Sequence, residues 1–94
     1  MTKTISQGCL VISVAGRDKG KLFVVVDCLD KFVYLADGKT RKVNAIKKKN
    51  IKHVKLIASA TLKEYADRIK NGEPVGNDKL FKAIKLQNEK IQED

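Results

Sequence analysis

Gly8-Cys9-Leu10-Val11-Ile12-Ser13-Val14-Ala15-Gly16-Arg17-Asp18-Lys19-Gly20-Lys21-Leu22-Phe23-Val24-Val25-Val26-Asp27-Cys28 is the stretch whose reading decides the fold. It holds two runs rich in β-branched and aliphatic residues, Cys9 to Val14 and Lys21 to Cys28, separated by a basic turn with two glycines. Branched side chains fit the pleated surface of a strand, and Gly16 and Gly20 allow the backbone angles of a tight turn. The pair reads as an antiparallel hairpin. Beyond it, Leu29-Asp30-Lys31 makes a short turn into a third run, Phe32 to Ala36. Asp37-Gly38 is a hairpin signal with Gly38 as its turn residue, and Arg41 to Ala45 is read as the return strand. The polar stretch Lys47-Lys48-Lys49-Asn50 then leads to a last run, Ile51 to Ile57. Five short strands with an aliphatic interior close most easily into a small barrel, which also hides the sheet edges.

Period-two alternation predicts the inner face. Leu10, Ile12 and Val14 share one face of the first strand, and Leu22, Val24 and Val26 share one face of the second. Val33 and Leu35, then Val54 and Leu56, complete the expected interior. Ser13, Asp27, His53 and Lys55 are expected outside. Phe23 reads as a core or helix-contacting ring.

The period changes after residue 57. Thr61-Leu62-Lys63-Glu64 has the spacing of a capping box, and Leu62, Tyr65, Ala66 and Ile69 recur at helical spacing. Asn71-Gly72 and Pro74 stop that helix. Asn77 or Asp78 is placed to cap a second one, with Leu80, Phe81, Ile84 and Ile91 on its apolar side. Two helices this short need a surface to pack on. The expected organisation is a barrel over residues 1–57 followed by a two-helix appendage, residues 58–94, packed on it. The fold class is thus mainly β.

Charge points to the class of partner. The chain has 94 residues and a formal net charge of +9. Residues 1–57 carry 13 Lys and Arg against 4 Asp and Glu, an excess of nine, whereas residues 58–94 carry seven of each sign. A one-signed field confined to one segment attracts polyanions. Three basic clusters are candidates for phosphate contact: Arg17, Lys19 and Lys21 in the first turn; Lys39, Arg41 and Lys42 beyond Asp37-Gly38; and Lys47, Lys48, Lys49 and Lys52. Phe32 and Tyr34 alternate with Val33 and Leu35. If those two point inward, the rings point out, where they can stack on bases. His53, beside Lys52, is a candidate for a phosphate or sugar contact.

Other chemistries find no support in the residue pattern. No acid pair or nucleophile–histidine constellation stands out, and the glycines lack the spacing of a nucleotide-phosphate loop, so no enzyme, catalytic residue or cofactor is expected. Cys9 and Cys28 are not spaced as metal ligands, and one histidine does not complete a zinc set. They read as free thiols of a cytoplasmic protein. Neither a leader peptide nor a stretch of membrane-spanning length is recognised, and no small-molecule substrate is expected.

The run from Gly8 to Lys21 resembles a KOW motif, in which a strand leads into a turn of G-x-x-K-G-K form. Gly16, Lys19, Gly20 and Lys21 match that form, while Leu22-Phe23 stands where many bacterial members have a further glycine. Gly20-Lys21-Leu22 through Val26-Asp27, then Leu35-Ala36-Asp37-Gly38 and Arg41-Lys42-Val43, are similar to the large-subunit ribosomal protein family called fourteen-e in archaea and eukaryotes. The segment Lys47-Lys48-Lys49-Asn50-Ile51-Lys52-His53 is similar to the short bacterial KOW-domain RNA-binding proteins. The resemblance spans roughly residues 7–57 (the predicted strands). It implies an SH3-like barrel that binds RNA and a ribosome-associated role in translation. The implied partners are ribosomal RNA of the large subunit and neighbouring ribosomal proteins. A protein-interaction module of translation or transcription complexes, docking through its amphipathic helices, is the alternative. A DNA-binding barrel is a third reading.

Overall fold

A computed structural model of the chain describes residues 5–59 and 61–92. In it, five antiparallel strands and two helices follow one another: β1 (Leu10–Ser13), β2 (Leu22–Leu29), β3 (Phe32–Ala36), β4 (Lys47–Asn50), a 3-10 turn (Ile51–His53), β5 (Val54–Ala58), α1 (Lys63–Lys70) and α2 (Asn77–Gln92). The sheet order is β4-β3-β2-β1-β5, so hydrogen bonding leaves β4 and β5 as open edges. The sheet is not closed by a strand ladder. It is nonetheless rolled. Neighbouring strands lie ~4.8 Å apart, so a flat sheet would hold β4 and β1 roughly 14 Å from one another. Lys49 of β4 instead reaches the end of β1, its Nζ 2.6 Å from Ser13 Oγ.

Rolling gives the sheet two buried faces. On one, Cys9, Val11, Phe23, Val25, Val33, Leu35 and Val54 form a core inside the curl. On the other, Leu10, Val24, Val26 and Ala36 pack against Leu62 and Ala66 around α1 and Leu80 and Ile84 of α2. The alternation expected within each strand is present, but the expected interior mixes two faces. Leu10, Leu22, Val24 and Val26 lie under the helices, whereas Val33, Leu35, Val54 and Leu56 lie in the curl. Periodicity pairs residues within a strand and is silent about which face of the next strand joins them. Register shifts between Leu10 and Val11 and between Val25 and Asp27 complicate the match further. Ser13, expected outside, is buried, and Val14, expected inside, is 39% exposed.

The fourth strand lies elsewhere than expected. Residues 41–45 form no strand, and Lys47–Asn50 pairs with Phe32–Leu35 instead. Lysines on an edge strand discourage pairing with a further chain, so a run that reads as a polar connection suits this position. The segment before it is held by Asp37, whose Oδ1 accepts from the N–H groups of Lys39 (2.9 Å) and Arg41 (2.7 Å).

The helices sit where their apolar spacing places them. Leu62, Tyr65, Ala66 and Ile69 all join the helix-side core. The capping box is absent: Leu62 occupies the cap position, with no side-chain cap bond. The Leu62 N–H donates to the Gly8 carbonyl at 2.9 Å, which ties the start of α1 to the chain just before β1. Asn77 does begin α2, but its Oδ1 accepts from the Val43 N–H at 2.9 Å and so clasps the loop after Asp37. Leu80 and Ile84 are buried and Phe81 is half-buried, while the Ile91 side chain lies outside the described residues. None of the described helices is long and apolar enough to cross a membrane.

Both cysteines are free. Burial pushes the Cys28 thiol up from its ordinary range, aided by the Asp27 carboxylate and by Cys9. A raised thiol favours the neutral form in the folded state. Its stabilising contribution is therefore full below the ordinary thiol range and is lost as pH climbs through the raised value. Iodoacetamide at about pH 8 is expected to modify Cys28 several-fold more slowly in the folded chain than in urea, because the thiolate is the nucleophile. Equal rates would show the thiol to be unprotected.

Candidate nucleic-acid interface

The turn between β1 and β2 is built by its own hydrogen bonds. Gly20 N–H donates to Ser13 O at 2.8 Å, Lys21 N–H to Asp18 O at 2.9 Å and Lys19 N–H to Gly16 O at 3.2 Å. Gly16 (φ +75°) and Gly20 (φ +88°) hold the left-handed conformations that this path requires. Among the described residues the N–H groups of Gly16, Arg17 and Asp18 meet no protein acceptor.

Asp18 is the centre of the site, and its side chain is 5% exposed. Its Oδ2 accepts from Arg41 Nη2 at 3.3 Å and lies 4.0 Å from Lys47 Nζ. A buried carboxylate needs compensating charge, and here two cations from different parts of the chain supply it. The consequence is geometric: Asp18 draws the loop after β3 and the start of β4 against the first turn. Lys49 adds a second link. Its Nζ donates to Ser13 Oγ at 2.6 Å and to Ala15 O at 2.8 Å, both neutral acceptors, so its positive charge is held in place without being cancelled there.

These contacts form a shallow groove of about 630 Å³ lined by Gly16, Arg17, Asp18, Arg41, Lys47, Lys48, Lys49, Asn50 and His53, with Ala15. Five of the lining side chains are Lys or Arg, and Asp18 is the one carboxylate. Five of the thirteen basic residues in the first 57 are thereby brought to one concave surface. Arg17 is exposed, so its guanidinium is free to take an anion in bidentate fashion.

Three separated clusters thus contribute unequally. The groove gathers Arg17 from the first, Arg41 from the second, and Lys47, Lys48 and Lys49 from the third, together with His53. Lys21 and Lys39 line a second groove against α2. Lys19, Lys42 and Lys52 are exposed and line neither groove. Phe32 is half-buried beneath Lys48, whose Nζ lies 4.2 Å from the ring centroid. Tyr34 packs against the helix-side core, so much of its ring is covered by the protein itself. Gly38 is more than a turn residue. A Cβ built there would stand 2.1 Å from the Asn77 carbonyl oxygen, so the bare backbone is what admits α2.

The organising role of Asp18 is absent from the sequence reading. Its signal is a single acidic residue inside a basic turn, which must find cations if it is buried. Lys49 has a structural duty that its neighbours lack. Lys49→Met keeps the aliphatic stem but removes the donor to Ser13 and Ala15, and is expected to lower stability by about 1–3 kcal/mol, read from urea unfolding. A freely solvated Lys49 would leave the unfolding midpoint unchanged.

No protein-family model matches the chain, and no curated protein matches it.

Proposed function

We propose that this chain is an RNA-binding protein of the cytoplasm, associated with the ribosome, and that the groove around Asp18 is its contact surface for structured ribosomal RNA of the large subunit. The observation that carries the reading is the convergence of Arg17, Arg41, Lys47, Lys48 and Lys49 on one concave surface with a single lining carboxylate. Phosphate oxygens take most hydrogen bonds in such interfaces, and Arg and Lys supply most of the affinity. The N–H groups of the Gly16–Asp18 turn, which meet no acceptor among the described residues, add donors of the kind that cradle phosphate. The groove follows the outer shape of a folded RNA rather than reading base edges, because its lining offers cations and few paired donor–acceptor groups.

We further propose that the scaffold is an SH3-like barrel of the KOW type. The meander order β4-β3-β2-β1-β5, the 3-10 turn before the last strand and the roll that brings β4 to β1 support this reading. A barrel open between β4 and β5 exposes the turns at one end, where the groove lies.

Sedimentation of the chain with ribosomal subunits at low salt is the test. Co-migration with the large subunit, released by salt, is the expected result. If the chain stays wholly in the free fraction, the ribosomal role fails. RNA hairpins and DNA duplexes at matched salt separate the nucleic acids, since equal affinities would remove the preference for RNA.

A further inference from the structure

The two loops that line the basic groove also line a second one. Gly20, Lys21 and Leu22 of the first turn and Asp37, Lys39 and Thr40 of the second loop form one wall of a groove of about 450 Å³, and α2 forms the other. The two grooves therefore share the same pair of loops. Two contacts set the width of the second. Gly38 lets the backbone of α2 approach, and Asn77 Oδ1 takes the Val43 N–H.

Its chemistry differs from that of the first groove. Leu22, Phe81 and Ile84 give it an apolar wall, while Lys21, Lys39 and Lys85 bring three ammonium groups. Two carboxylates line it as well, Asp37, whose Oδ1 accepts from the N–H groups of Lys39 and Arg41, and Glu89, so the ammonium groups outnumber the carboxylates by one. Lys39 Nζ rests 5.2 Å from the centroid of the Phe81 ring. An ammonium parked on an aromatic ring is a group that can move to a phosphate and leave the ring to a planar ligand.

We infer that this second groove receives an unpaired nucleotide of the bound RNA, its base against Phe81 and its phosphates on Lys21, Lys39 and Lys85. Apolar wall and cations together match a flat base joined to phosphate, which neither a lone anion nor a plain hydrocarbon does. The neutral helical tail thereby takes part in binding. The inference rests on the RNA reading above and extends it to α2.

The test is fluorescence anisotropy with three probes: a short single-stranded oligoadenylate, a blunt duplex RNA, and 5′-AMP as competitor. Phe81→Leu keeps apolar packing and removes the ring. It is expected to weaken oligoadenylate roughly 5- to 150-fold while leaving duplex RNA unchanged. Lys85→Gln, at an exposed position outside the core, is expected to weaken oligoadenylate several-fold, which separates ligand binding from any packing effect of the first variant. If both variants bind oligoadenylate like the parent chain, the inference is overturned while the RNA reading stands. If 5′-AMP competes as tightly as oligoadenylate binds, the ligand is a free nucleotide and the assignment to an RNA strand is overturned. If the parent chain binds neither RNA, the reading beneath both proposals falls.

Discussion

Gly38→Ala is expected to cost on the order of 3 kcal/mol or more, through two additive causes. Gly38 holds φ +81°, a conformation that an L side chain enters only with strain. The new methyl would also meet backbone: 2.1 Å from Asn77 O and 2.9 Å from Asn77 C. A side chain can turn aside, but a helix start cannot, so α2 must lift from the loop. Chains of this size are stable by roughly 5–14 kcal/mol, so the loss is a substantial part of the whole. The melting temperature should fall by about 12 °C or more. Gly72→Ala is the control. Gly72 has nearly the same angle, φ +75°, but nothing within 4 Å of its built Cβ, so about 1–2 kcal/mol is expected there. Equal losses at the two positions would contradict the close approach of α2.

The second large effect is on binding. Arg17→Glu combined with Lys48→Glu is expected to lower affinity for structured RNA by about 100-fold or more near physiological salt, because each change removes a phosphate partner and adds a repulsive charge. Both side chains are exposed at the groove, so stability should change by less than about 1 kcal/mol, mostly from the lost contact of Lys48 with Phe32. Lys49 is a poor choice for such a test, since its ammonium holds Ser13 and Ala15. A protein partner docked through the helices would survive the double reversal, which distinguishes that reading from RNA.

Much of this was legible in the residues. The strands at Leu10–Ser13, Leu22–Leu29 and Phe32–Ala36 announce themselves by branched side chains and bounding turns, and α1 by the spacing of Leu62, Tyr65, Ala66 and Ile69. Where the reading fails, a non-local contact decides. Lys47–Asn50 is a strand because β3 offers a free edge, which no local propensity for Lys-Lys-Lys-Asn encodes. Thr61 does not cap α1 because the helix begins one residue later than the capping-box spacing implies, with Leu62 at the cap position and tied through its N–H to the Gly8 carbonyl. The three basic clusters are visible as charge, but their convergence is not, since it depends on Asp18 being buried between Arg41 and Lys47. Phe81 reads as one more apolar helix position, and only the fold places it beside Lys39.

The groove around Asp18, proposed to hold RNA phosphates, is tested by the affinity of the chain for a structured fragment of large-subunit ribosomal RNA as salt is varied, for the parent chain and for the Arg17→Glu, Lys48→Glu variant. Occupied by four or five phosphates, the groove should give a slope of log affinity against log salt of about −3 to −4.5, flattened by roughly 1.4–1.8 in the variant. A parent affinity indifferent to salt, or a variant with the parent's slope, would contradict the assignment of this groove to RNA.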